Sequence, residues 1–271
     1  MTQTAGAITK AAAKSGTQAL TTAQAAPKTI AQYVNKMSSE IAKALPSVMT
    51  PERFTRIVLS ALSSNPKLQE CTPTSFLGAM MTAAQLGVEP NTPLGQAYLI
   101  PRWSSKAQAS ECQFQLGYKG LIDLAYRSGE ISTVYAQTVY ANDEFEITLG
   151  LEPNVIHKPA MSDRGEPVAF YAVWKGKNGG YGFECMSVDD VRAHAKKFSE
   201  SVKKGYSSPW DTNFEEMAKK TVLKKCLKYA PLKTDFVRGV AQDETVHNSI
   251  SDDMTLEPVT IIEDGPDGVP V

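Results

Sequence analysis

The stretch VAFYAVWKGKNGGYGFECM, residues 168–186, decides the fold. β-Branched and aromatic residues alternate on both sides of Asn178-Gly179-Gly180. A glycine-rich turn between two such runs predicts a hairpin, with 168–175 antiparallel to 181–186. Upstream, residues 131–140 and 144–149 carry the same pattern, so the four runs predict one antiparallel sheet. Downstream, Ser187 with Asp190 three residues later supplies a hydroxyl and a carboxylate for unpaired backbone donors, the signature of a helix start. Helices then dominate to about residue 240.

Ahead of the sheet, Ile30, Val34, Met37, Ile41 and Leu45 recur at three and four, which predicts one helix ended by Pro46. Thr50-Pro51 and Thr72-Pro73 each place a capping hydroxyl before a proline, predicting two more helices that stop near Asn65 and Gly87. Residues 96–101 and 112–116 read as strands, joined into a long-tipped hairpin by a polar loop with Ser104, Ser105 and Lys106. A short helix over 117–129 is closed by Gly129. Helix, strand and helix follow one another without βαβ alternation, so the fold class is α+β: N-terminal helices, a central hairpin and antiparallel sheet, and C-terminal basic helices.

Residues 1–28, built from Ala, Thr, Gln, Ser, Gly and Lys, offer no face to bury and read as a disordered arm. Residues 29–240 form one core domain, and 241–271 an acidic flexible tail. In that tail Val259, Ile261 and Ile262 form a short apolar piece suited to a partner. No apolar run approaches the roughly 18 to 20 residues of a membrane span, so a soluble, cytoplasmic protein is expected. Cys71, Cys112, Cys185 and Cys226 are scattered singly, which argues against disulfides and structural zinc.

The net charge of -1 conceals an asymmetry. Residues 191–233 hold eleven bases and four acids, a net of +7, while 235–271 hold nine acids and one base, a net of -8. No G-x-x-x-x-G-K-[ST] loop is present to cradle a nucleotide, and no G-x-G-x-x-G, H-E-x-x-H or G-x-S-x-G motif occurs. No cofactor, metal ligand set or catalytic residue is therefore assigned. Carboxylates such as Asp143, Glu144 and Glu146 keep a metal-dependent nuclease as the alternative from another class.

Along the helix expected over 211–229, Lys220, Lys224 and Lys228 recur at four and form a stripe. The spacing of about 6 Å, from a rise of ~1.5 Å per residue, is similar to that of phosphates on one nucleic-acid strand. Phe214, Ala218, Val222, Cys226 and Ala230 lie on another face that can pack on the core. Such stripes are often merely solvated, but Lys225, Arg192, Lys196, Lys197, Lys203 and Lys204 cluster nearby. Trp210 reads equally as a stacking platform among these cations or as a core anchor. Arg102, Trp103, Gln113, Tyr118, Lys119 and Arg127 form a second candidate surface around the hairpin and the helix after it.

Three segments in order, AAQLGVEPNTPLGQAYLIP (83–101), LGYKGLIDLAYRSGEI (116–131) and WDTNFEEMAKKTVLKKCLKYAP (210–231), resemble the RecT family of phage single-strand annealing proteins. The similarity extends over about 45–231. It implies a protein that coats single-stranded DNA, assembles into rings or helical filaments, and anneals complementary strands without ATP. It also implies a phage exonuclease and a host single-strand-binding protein as partners, beside the annealed duplex and other copies of the chain. Carried onto this sequence, the family's DNA groove involves Arg102, Gln113, Tyr118, Lys119 and Arg127 on one wall and Lys220, Lys224, Lys225 and Lys228 on another. Tyr126 stands where some relatives have a basic residue. An annealing protein must leave Watson-Crick edges accessible, so sugar and phosphate contacts should dominate. A passive coat protein that slows pairing would use the same bases.

Overall fold

The structure, a computed structural model, describes residues 29–232, 241–243, 245–247 and 259–261. Its order of elements is the α+β arrangement expected. The N-terminal run forms α1 (Ile30–Lys36) and α2 (Ser38–Ala44), parted at Met37, whose ψ of 9° interrupts the predicted single helix. Backbone bonds still span the junction, from Met37 N to Tyr33 O and from Ile41 N to Met37 O, and Ile30, Val34 and Ile41 are all buried. Leu45 turns extended because a residue before proline is pushed out of helical space. In α3 (Pro51–Ser64) the Thr50 hydroxyl accepts from Arg53 N, as expected of a cap. α4 (Pro73–Leu86) departs from that pattern, since Thr72 gives its hydroxyl to Ser75 Oγ instead. α4 is buried nearly all round and ends at Gly87, whose φ of 59° is a conformation glycine adopts without strain.

β1 (Ala97–Ser104) and β2 (Ala109–Leu116) pair antiparallel along their full length. The tip is therefore short, only residues 105–108, and Arg102 and Trp103 belong to a strand. The outer ends of the strands are polar and half exposed, so no apolar alternation marked them in the sequence. Alternation turns Ala97, Leu99, Cys112, Phe114 and Leu116 inward, in the core that includes α4. Tyr98, Ile100, Arg102, Gln113 and Gln115 share the opposite face. α5 (Tyr118–Arg127) follows directly and closes at Gly129.

β3 (Ile131–Tyr140), β6 (Pro167–Gly176) and β7 (Tyr181–Ser187) form an antiparallel sheet in the order β3, β6, β7, with the turn at 178–180 as predicted. The fourth expected strand does not join it. β4 (Glu144–Thr148) pairs with β5 (Asn154–Lys158) in a separate hairpin, so the single sheet is corrected to two units. Phe145 and Val155 anchor that hairpin on Val139, Tyr171 and Val173, a long-range contact that strand alternation does not encode. α6 (Val188–Phe198) starts at the predicted cap, Asp190 N lying 3.0 Å from Ser187 Oγ. After α7 (Glu200–Lys203) and α8 (Pro209–Thr212), α9 (Phe214–Leu227) crosses β3, β6, β7 and α5. Ala218, Val222, Leu223, Cys226 and Leu227 are buried beneath it.

Of the segment read as a tail, β8 (Thr245–His247) pairs with β2 at Phe114, and β9 (Val259–Ile261) pairs with β8. Thr245 and Val246 are buried, and His247 Nε2 lies 3.0 Å from Thr82 Oγ1 in space that a side chain at Gly78 would fill. The N-terminal arm, 1–28, and most of 248–271 lie outside the described residues. Among the described residues no helix is long and apolar enough to cross a membrane.

A polar cluster ties the β4–β5 hairpin to the rest. The shielded carboxylate of Asp143 accepts from Arg164 Nη2 at 2.6 Å and Nε at 3.0 Å, and from the Tyr140 and Ala160 amides, each at 2.9 Å. His157 Nε2 stands 3.0 Å away. The Arg164 guanidinium holds the Asp143 carboxyl well below the usual carboxylate range, against the opposing effect of burial. Arg164 also lies 4.2 Å over the Tyr140 ring, and Tyr140 and Thr138 donate to Glu215 of α9. Because the folded-state pKa is depressed, this stabilisation is present above the unfolded value of about 3.9 and is lost as pH falls toward the folded one. Asp143→Asn should therefore lower Tm at neutral pH, with the gap from wild type narrowing below about pH 4. A gap of constant size from pH 7 to pH 3 would contradict this role.

Candidate nucleic-acid interface

The lysine stripe is present but graded. Asn213, at φ -141° and ψ 49°, divides the expected 211–229 helix into α8 and α9. Lys220 is 6% exposed, Lys224 is partly buried, and Lys228 is exposed. The cause is Asp243, whose side chain is fully buried between the stripe and the end of β2. It lies 3.2 Å from Lys220 Nζ and 3.0 Å from Lys224 Nζ, and accepts from Leu116 N at 2.7 Å. Burial pushes the Asp243 carboxyl up, but the two ammonium groups more than offset this and hold it below its ordinary value. A row of solvated cations thus describes Lys228 and part of Lys224, whereas Lys220 is drawn inside. Lys225, about 100° around the helix from Lys224, faces a hollow with Glu184, Asp190, His194 and Lys197.

The hairpin wall is built on the outward face of β1 and β2. Arg102 is half-buried, with a shielded Nε that has no hydrogen-bond partner among the described residues. Gln113, paired with Ile100 across the hairpin, is buried. Tyr118 and Lys119 open α5, where Lys119 is exposed. Burial, then the Glu216 carboxylate of α9, and last the Tyr98 phenol raise the pKa of Tyr118. Arg127 is placed elsewhere, 2.9 Å from Asp123 and beside Gly87 at the C-terminus of α4, an end of a helix that favours a cation. The start of α5 and the first half of α9 therefore meet at Tyr118 and Glu216, and the end of β2 meets α9 at Asp243.

The remaining cations lie on α6, at the end of α7 and just after it. Lys196, Lys203 and Lys204 are exposed, Lys197 Nζ sits 5.0 Å from the Phe198 ring centre, and Arg192 lies 3.7 Å from Asp189. Trp210 stands between His194 and Phe214, at ring distances of 6.5 and 6.2 Å, against the main core. It is an anchor that joins α6 to α9. Two residues of the candidate interface escaped the sequence reading. Asp243 had no local signal, whereas Tyr98 had one, since it alternates with Ile100 and Arg102 along β1. Of the carboxylates weighed for a nuclease, Asp143 is taken up by its donors and Glu144 lies 2.6 Å from Lys158. Among the described residues no group of three or more His, Cys, Asp or Glu is placed to hold a metal.

A sequence profile described as the RecT family matches residues 52–259. The chain belongs to the RecT family. The RecT protein of Escherichia coli (strain K12) is 36% identical over 233 residues, which cover 84% of this chain and 83% of that protein. The uncharacterized protein YqaK of Bacillus subtilis (strain 168) is 30% identical over 216 residues, covering 79% of this chain and 72% of that protein. The family match extends past Asp243 and β8, so the residues that bury the lysine stripe lie within it.

Asp243→Asn should destabilise the chain by about 3 to 5 kcal/mol, the cost of breaking a buried ion pair from one side, here the 3.2 Å pair with Lys220. Adding Lys220→Met should restore much of the loss in a urea unfolding curve. A double variant no more stable than the single one would show that the carboxylate acts through something other than this pair.

Proposed function

We propose that this RecT-family chain binds single-stranded DNA and anneals complementary strands without nucleotide hydrolysis, acting as a homo-oligomer. The observation that carries the reading is where the three family-like segments lie. Residues 83–101 end in β1, 116–131 build α5, and 210–231 build α8 and α9. The last two meet at Tyr118 and Glu216, and β2 joins α9 through Asp243. Arg102, Lys119, Lys224 and Lys228 are carried on or beside these elements, and we read them as one cationic surface.

On this surface the strand is held by its phosphates, with Lys119, Lys224 and Lys228 as the principal contacts, while Arg102 lines the hairpin wall. Lys196 and Lys197 on α6, with Lys203 and Lys204 at and just after the end of α7, add a second cationic area for the incoming strand. Neutralising phosphates on both strands lowers their mutual repulsion, so register can be sampled until pairing takes over. No covalent step is needed. An oligomeric ring or filament would align these surfaces, and a phage exonuclease that leaves single strands, together with a host single-strand-binding protein, fits as a partner.

The test is donor–acceptor fluorescence of two complementary oligonucleotides mixed with the full chain and no ATP. Pairing should accelerate, and Lys119→Ala/Lys224→Ala/Lys228→Ala should slow it by at least tenfold. The salt slope of single-strand binding should become shallower by about 0.7 for each phosphate that the variant no longer neutralises. Binding of either strand without faster pairing would leave a passive coat protein, and shortened strands in magnesium or manganese would mean a nuclease.

A further inference from the structure

Tyr98 has a placement that phosphate binding does not explain. It is 41% exposed near the start of β1, on the same face as Arg102 and Gln113, and pairs across the hairpin with Gln115. Two glycines seat it. A Cβ on Gly117 would overlap the carbonyl oxygen of Gly95 and come within 3.2 Å of Tyr98 Cε2. A Cβ on Gly95, whose φ is 65°, would lie 3.2 Å from the phenol oxygen and 3.6 Å from Lys119 Cδ. The side chain thus rests along a shelf of bare backbone, with the Lys119 stem beside the same glycine. Its place is set by the fold, so little freedom is lost when something settles on it.

An exposed tyrosine alone is ordinary. Here the ring stands beside a lysine and a second tyrosine, Tyr118, the combination with which single-strand sites hold a backbone and stack a base. Resting on the proposed single-strand reading, we infer that Tyr98 is a base-stacking position: one nucleobase of the bound strand lies on its ring while Lys119 takes the adjoining phosphate. Every π-face suits such a position, so it confers no sequence preference. It sets the register of the strand on each subunit and leaves the other bases free to pair.

The experiment compares full-length wild type, Tyr98→Ala, Tyr98→Leu and Tyr98→Phe for binding to a mixed-sequence oligonucleotide and to an abasic oligonucleotide of equal length. Wild type should bind the abasic strand more weakly. Tyr98→Ala should lose roughly 5- to 150-fold on the normal strand, the range for one stacked base, and nothing further on the abasic strand. Tyr98→Leu keeps apolar bulk without a ring and should behave as Tyr98→Ala does, which covers the case in which alanine disturbs the hairpin. Tyr98→Phe should keep the discrimination between the two DNAs. The salt slope should not change in any of the three, whereas Lys119→Ala should make it shallower. Equal weakening on both strands, or no weakening, overturns the stacking role. If Lys119→Ala and Lys224→Ala also leave binding intact, the groove itself is misplaced. If they weaken binding while Tyr98→Ala does not, only the inference about Tyr98 falls.

Discussion

A single buried carboxylate organises the candidate interface. The Asp243 side chain has no access to solvent, and a charge in that position is sustained only by partners that surround it. Leu116 N, Lys220 and Lys224 are those partners, and they come from the end of β2 and from α9. The requirement that this charge be satisfied therefore joins the hairpin, the basic helix and the segment leading into β8. It also decides which lysines remain at the surface, since Lys220 is consumed by the pairing and Lys224 only in part.

α9 divides the cations further because so much of its circumference is buried. Ala218, Val222 and Cys226 face the core, as do Leu223 and Leu227. Lys224 reaches Asp243 beside the end of β2, Lys228 stands exposed one turn further on, and Lys225 faces α6 and β7, where Asp190 and Glu184 stand near it. One basic run in sequence is thus dealt to two surfaces with different neighbours. At the other end of the helix, Glu215 receives Thr138 and Tyr140, and Glu216 stands against Tyr118. The acidic first turn of α9 docks the helix, and at its other end Lys228 stays exposed.

Features encoded within a few residues were legible in the sequence. The turn at 178–180, the cap of Ser187 on Asp190, and the apolar spacing from Ala218 to Cys226 depend on local geometry alone, and each is present in the structure. Features set by distant neighbours were not. β4 leaves the sheet because Phe145 and Val155 find Tyr171 and Val173, and Lys220 is buried because of an acid 23 positions away. Trp210 illustrates the same limit: an aromatic among lysines suits a groove or a core, and its packing beside His194 and Phe214 depends on neighbours that the local sequence does not reveal. Tyr98 falls on the alternation of β1, but the strand's polar outer half concealed how far that alternation runs.

The bound strand is proposed to lie across the outward face of β1 and β2, the start of α5 and the solvent side of α9. Hydrogen–deuterium exchange of the full-length chain, with and without a saturating single-stranded oligonucleotide, tests this most directly. Protection gained over 97–104, 109–119 and 219–228, with smaller changes over 196–204, is the predicted footprint. Protection confined to α6, α7 and α8, with the hairpin and α5 unchanged, would contradict it.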